Sequence, residues 1–132
     1  MTTPAPTPTP GTLAWFEVAA DDPDAAERFY AGLFDWTFAP DPVSAGIGLD
    51  YRITTAPGSE APMGGLTKTQ EGMPGHAVFY ILVADVAATC TAAEELGGSI
   101  VAKEVSPPAG PAFAYLRDPA GNMFAVFTPP AA

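Results

Sequence analysis

The sequence predicts an α+β fold of two tandem βαβββ modules, and three observations carry that expectation. Residues 14–32 and 77–95 repeat one pattern 63 positions apart. Each copy begins with a strand of alternating character, and each strand runs into an aspartate, Asp22 or Asp85, that opens a short helical pattern. Neither half could cover both faces of its own sheet. The two sheets are therefore expected to pair around a shared concave cavity, with the helices outside.

The first strand, 13–19, ends at Asp21-Asp22-Pro23. Asp22 can accept from the first free helical N–H groups, and Pro23 suits the first helical position because its ring fixes φ and it has no N–H to leave unpaired. Ala26, Phe29, Tyr30, Leu33 and Phe34 then recur at helical spacing. That stripe is expected to pack on a sheet, leaving Glu27 and Arg28 in water. Strands follow at 36–39, 48–55 and 62–69, separated by Pro and Gly turn signals at 40–42 and 56–62.

The second copy starts at the strand 76–83. Asp85 opens a helix whose inward positions are Val86, Thr89, Cys90, Ala93 and Leu96, and Gly97-Gly98 ends it as a glycine C-cap. Strands fit 99–105, 112–117 and 122–128, with Asp118-Pro119-Ala120-Gly121-Asn122 as the tight turn between the last two. The organisation is one domain: a disordered Pro/Thr-rich stretch at 1–11, a first module at 12–69, a linker at 70–75 and a second module at 76–129.

With 132 residues and 48 % apolar composition, the chain can bury an ordinary core. The stretch 1–11 has no basic start or apolar run and does not read as a secretory signal, and no segment is long and apolar enough for a membrane span. A cytoplasmic protein is expected. The single Cys90 forms no internal disulfide and reads as a small buried hydrophobe. Fifteen acidic against five basic residues give a net charge of -10, which excludes nucleic acid as a partner and would steer a cationic ligand inward.

An ordered set of motifs spans roughly residues 12–129: Trp15-Phe16-Glu17-Val18-Ala19-Ala20-Asp21-Asp22-Pro23, then Arg28-Phe29-Tyr30 and Leu33-Phe34-Asp35-Trp36; Gly64-Gly65-Leu66; the strand from Tyr80 into Asp85, with Glu94-Glu95-Leu96-Gly97-Gly98; and Arg117 to Asn122. The set resembles the vicinal oxygen chelate superfamily, which includes glyoxalases, bleomycin-resistance proteins and extradiol dioxygenases. The resemblance implies a divalent metal with one ligand on the first and one on the last strand of each module. The first-strand ligand lies seven residues before the module's aspartate, where this chain has Trp15 and Val78. The last-strand positions correspond to about Gly65 and to Ala125. None of these four side chains can coordinate a Zn, Fe or Ni ion. No metal or other cofactor is therefore expected, and glyoxalase and dioxygenase chemistry are disfavoured.

Alternation puts Trp15 and Glu17 on one face and Val78 and Tyr80 at the equivalent points; Phe113 with Tyr115, and Met123 with Ala125 and Phe127, face together, while Tyr51, Met63 and Gly65 lie on the first module's side. The expected cavity is aromatic and suits a small flat, apolar or conjugated ligand, cationic ones included. Glu17 is the exception. A buried carboxylate needs a partner such as a tyrosine hydroxyl, Arg52 or a ligand's donor, which makes Glu17 the candidate general base or amine anchor. The lone His76 is expected at the surface or strand edge.

Two functions are weighed on these residues, beside a third class, a subunit or regulatory module docking another protein, which the edge strands permit but no sequence feature supports. The first, implied by the resemblance, is metal-independent small-molecule binding of the antibiotic-sequestering kind, by a homodimer. The alternative is a metal-free isomerase, cyclase or lyase in natural-product metabolism, with Glu17 moving protons and Tyr80 or Tyr115 polarising an oxygen.

Overall fold

The computed structural model describes residues 9–107 and 110–129, which divide into two compact units: Trp15–Phe79, and the remaining described residues. The fold is α+β, as the duplicated pattern predicts.

The first unit holds β1 (Leu13–Ala20) from Trp15 onward, α1 (Pro23–Phe34), β2 (Thr37–Pro40), α2 (Pro42–Gly46), β3 (Tyr51–Thr55) and β4 (Gly64–Lys68). Its strands lie in the order β2-β3-β4-β1, with β1 parallel to β4 and the other pairs antiparallel. The Asp22 carboxylate accepts from Ala25 N at 3.1 Å and Pro23 sits in the first turn, as the cap signal requires. At the other end Asp35 takes a left-handed conformation (φ 56°), and its N–H bonds the carbonyl of Ala31.

Helix α1 meets the sheet through rings. Phe16 of β1 covers Gly64 and lies 5.6 Å from Trp36, which stacks on Tyr30 at 5.4 Å. The apolar stripe does not bury as a whole: Phe29, Leu33 and Phe34 are 59 %, 58 % and 50 % exposed. The expectation of a fully packed stripe is thus corrected, because Tyr30 and Trp36 make the ring contacts to the sheet and the apolar arc of α1 extends past them. Glu27 is not simply solvated either, since Arg52 holds it at 3.2 Å.

A second correction concerns 40–50, read as a turn followed by an early strand. Asp41 caps the short helix α2 by accepting from Ser44 N at 3.2 Å and Ser44 Oγ at 2.7 Å, and β3 begins only at Tyr51.

The second unit holds β5 (His76–Leu82) from Tyr80 onward, α3 (Val86–Glu95), β6 (Ser99–Glu104), β7 (Ala112–Arg117) and β8 (Met123–Thr128), in the order β5-β8-β7-β6. Here β5 and β8 are parallel. Asp85 caps α3 through Ala88 N at 3.0 Å. Val86 and Cys90 of α3 pack on Ala114, Leu116 and Val126, all fully buried, so Cys90 is a core side chain and its thiol titrates above the usual range because of that burial. Leu96 is not inward as expected: α3 stops at Glu95 and Leu96 is 79 % exposed at its end.

Asp118 makes the predicted turn, its Oδ1 accepting from Ala120 N and Asn122 N, both at 2.9 Å. Gly11 N donates to Leu82 O at 2.7 Å and Leu82 N to Thr12 O at 2.9 Å, which ties residue 11 into the sheet. Thr9 O accepts from Thr12 N at 3.1 Å, and residues 1–8 of the expected disordered stretch lie outside the described residues. Among the described residues no helix is long and apolar enough to cross a membrane.

Candidate functional site

In the first unit the sheet face opposite α1 carries a line of polar contacts. Strand alternation puts Trp15 and Glu17 on that face, and register sets Glu17 beside Gly65. The ring of Tyr51 lies over Gly65, where a β-carbon would collide with it. Trp15 Nε1 donates to the Tyr51 hydroxyl at 2.9 Å, and Tyr51 in turn engages Glu17 by hydrogen bond. The sequence Trp15, Tyr51, Glu17, His76 then closes, with His76 Nε2 at 2.8 Å from Glu17 Oε2.

Glu17 is only 3 % exposed. A carboxylate so deeply placed needs compensation, and the imidazole and the phenol provide it. Arg52, another expected partner, is engaged elsewhere: it binds Asp24 at 2.8 Å, Glu27 at 3.2 Å and Asp50 at 2.9 Å. The Tyr51 hydroxyl is held well above the ordinary tyrosine range. Burial is the main cause, the negative charge of Glu17 adds to it, and the bond from Trp15 works against it.

His76 overturns the surface reading. It opens β5, yet its side chain is only 7 % exposed, against 4 % for that of Glu17. The signal was present in the sequence: the chain's only histidine stands two residues before the inward Val78, and a buried carboxylate on the same unit wanted a donor. Val78 itself is buried, and Met63 sits half-buried just ahead of β4, its carbonyl accepting from Phe16 N.

The second unit gathers a different set. The Tyr80 and Tyr115 hydroxyls meet at 2.8 Å with the rings edge-on, Phe127 lies 5.9 Å from Tyr80, and Phe113 lies 5.8 Å from Tyr115. Ala125 pairs in register with both Tyr80 and Tyr115 and is fully buried. A small residue there lets the two phenols approach across it. Met123 is half-buried two residues along β8. The predicted site residues therefore fall into a polar group on the first unit and an aromatic group on the second.

Sequence reasoning missed one concavity altogether. A cleft of about 380 Å³ in the first unit is lined by Glu27, Phe38, Leu49, Tyr51 and Arg52 among others.

The metal that the resemblance implies does not fit these residues. The four chelating positions hold an indole, a glycine hydrogen, an isopropyl and a methyl group, and the one nitrogen among them, Trp15 Nε1, carries a proton already given to Tyr51. The Tyr51 ring also fills the space over Gly65 into which a ligand side chain would project. Among the described residues no three His, Cys, Asp or Glu side chains converge as a metal site would need.

With this geometry in hand, the chain can be set beside known proteins. The family described as Glyoxalase-like domain matches residues 15–127. The Mycobacterium tuberculosis protein named "Putative glyoxylase CFP32" is 35 % identical over 120 residues, covering 90 % of this chain and 44 % of its own length. The anthracycline biosynthesis protein DnrV of Streptomyces peucetius is 30 % identical over 138 residues, covering 89 % of this chain and 47 % of its own. The chain thus spans about half the length of these two relatives. Streptomyces coelicolor methylmalonyl-CoA epimerase, solved in complex with 2-nitronate-propionyl-CoA, superposes with a TM-score of 0.63 at 15 % identity over 94 % of this chain and 98 % of that one, a likeness of fold.

Proposed function

Since the chain belongs to the glyoxalase-like domain family, we propose that it binds a flat aromatic or natural-product-like small molecule without a metal ion, and that it sequesters the ligand rather than converting it. One observation carries this reading. Where the wider superfamily chelates, this chain has Trp15, Gly65, Val78 and Ala125, and the first of these corners is closed by the Trp15–Tyr51 hydrogen bond over Gly65. Rings at Tyr80, Phe113, Tyr115 and Phe127 supply edge and face contacts of about 0.5 to 1.5 kcal/mol each for an aromatic partner. On the first unit, taken by itself, Glu17 held by His76 is the candidate polar anchor. The name of DnrV, anthracycline biosynthesis protein, supports a natural-product setting. In this reading the working form is a cytoplasmic homodimer.

A second reading rests on the Glu17–His76 pair at 2.8 Å. A carboxylate and an imidazole in direct contact can pass a proton, so the same site could serve a metal-free isomerase, cyclase or lyase with Glu17 as base.

Titration of the metal-stripped protein with aromatic metabolites separates these outcomes. Saturable binding with the ligand recovered unchanged, weakened about tenfold or more in Glu17→Gln through loss of a charged hydrogen-bond acceptor, supports sequestration. Conversion of the ligand supports the enzyme. A stoichiometric metal in the purified protein on which binding depends overturns both.

A further inference from the structure

The cleft of the first unit is lined by two kinds of side chain, all of them within Trp15–Phe79. Phe38 and Pro40 of β2 and Leu49, two residues ahead of β3, contribute apolar surface, while Glu27, Asp50 and Arg52 contribute charge. Its volume of about 380 Å³ falls in the range of small-molecule sites, which combine apolar lining with a few placed polar groups. Leu49 is 46 % exposed, an apolar side chain that gains by being covered.

The charged groups decide what can enter. Arg52 has five N–H donors and four are spent: Nε and Nη2 on the two Asp50 oxygens, Nη2 again on Asp24 at 2.8 Å, and Nη1 on Glu27 at 3.2 Å. An incoming anion would have to displace a carboxylate from the guanidinium and would meet Glu27 and Asp50 at close range. Glu27 is placed the other way. Arg52 engages its Oε1 alone, so Oε2 keeps its acceptor capacity, and the side chain is 39 % exposed. Already held by Arg52, this carboxylate has little freedom left to lose when a donor arrives. Two carboxylates against one guanidinium leave the lining net negative, and Asp24 on the same guanidinium adds to it; Lys68, whose charge acts on Asp50, does not line the cleft.

We infer that this cleft is a binding site in its own right, beyond that of Glu17, for a small organic monocation: an ammonium group donates to Glu27 Oε2 while a ring-sized apolar body covers Phe38, Pro40 and Leu49. A neutral hydroxyl on the same body makes an ordinary hydrogen bond to Glu27, whereas an ammonium makes a charge-assisted one roughly twice as strong. A carboxylate on that body finds no free guanidinium and two like charges. The chain's net charge of -10 favours the approach of the cation over long range.

The test uses phenethylamine, phenethyl alcohol and phenylacetate, which share a ring and differ in charge, each titrated by calorimetry into the full-length protein. The amine is expected to bind about tenfold or more tightly than the alcohol, and phenylacetate more weakly than either. Glu27→Gln, at a part-exposed position, is expected to bring amine and alcohol within about threefold of one another. Ala45→Trp, which puts an indole into the cleft from an exposed lining position, is expected to abolish binding of the amine, while Glu17→Gln leaves it unchanged. Equal binding of amine and alcohol by the unaltered protein overturns the inference without any variant. Amine binding that survives in a folded Ala45→Trp, keeps its full preference in a folded Glu27→Gln, or is lost in Glu17→Gln lies elsewhere on the protein and overturns it as well. Failure of the amine to bind at all overturns it too, and leaves the reading built on Glu17 standing.

Discussion

Tyr51 occupies the space that a side chain at Gly65 would need: a β-carbon built on Gly65 falls against the Cε1, Cζ and hydroxyl of the phenol. The two residues lie on adjacent strands, β3 and β4, whose register pairs Tyr51 with Thr67 and Ile53 with Gly65, so the ring leans back across the glycine. Gly65→Ala should therefore push the ring out and break its bond with Trp15. The expected loss is about 1 to 3 kcal/mol, the usual cost of overpacking. Urea unfolding of Gly65→Ala, Tyr51→Ala and the double variant checks it. If the ring is the cause, the double variant costs clearly less than the sum of the singles.

The same phenol gives an alkaline signature. Its folded-state value lies above the ordinary 10.0, so as pH rises past 10.0 the unfolded chain loses this proton while the folded chain keeps it. Fewer protons on the unfolded state means that stability falls with rising pH. The contribution is whole below pH 10.0 and drains away above it. Tyr51→Phe should flatten that alkaline limb, and tyrosinate absorbance of the native protein should show a late-titrating phenol that the variant lacks. An unchanged limb in the variant would dissociate Tyr51 from it.

Much of this was legible in the chain because local chemistry decided it. Asp22 before Pro23, Asp85, and the Asp118 turn all act through side-chain oxygens accepting from N–H groups two to four residues on, and short-range signals of this kind survive whatever packs around them. Asp41-Pro42 carries the same mark as Asp22-Pro23 and caps α2 in the same way, a helix signal stronger than the turn expected at 40–42. The burial of α1 and Leu96 was not readable, since apolar spacing shows which residues share a face and not how far the opposing surface extends. His76 needed a tertiary fact, its meeting with Glu17 across 59 positions of sequence.

Arg52 joins β3 to α1 through Asp24 and Glu27 and to its own neighbour Asp50, three carboxylates on one guanidinium. The partners are largely exposed, so solvent screens the ties and Arg52→Ala should cost only about 1 kcal/mol, and less in high salt. The bond from Arg52 holds the Asp50 carboxyl below its ordinary 3.8. Its contribution is present above pH 3.8 and is lost as pH falls through the lowered folded-state value. Urea midpoints across acid pH should decline less steeply in Arg52→Ala than in the parent. Identical slopes would mean that the cluster adds nothing to acid stability.

The Glu17–His76 pair should respond differently to salt, because both side chains are buried and mobile ions cannot come between them. Removing the imidazole leaves a deeply placed carboxylate short of a donor, and His76→Ala is expected to cost about 1 to 3 kcal/mol. Glu17→Gln keeps an oxygen for His76 to reach and should cost less. In a double-variant cycle the coupling between the two positions should exceed about 0.5 kcal/mol and stay constant from low to high salt, whereas the Arg52 contribution declines over the same range. A coupling near zero would mean that the 2.8 Å contact contributes nothing to holding Glu17, and the anchor would then have to be credited to Tyr51.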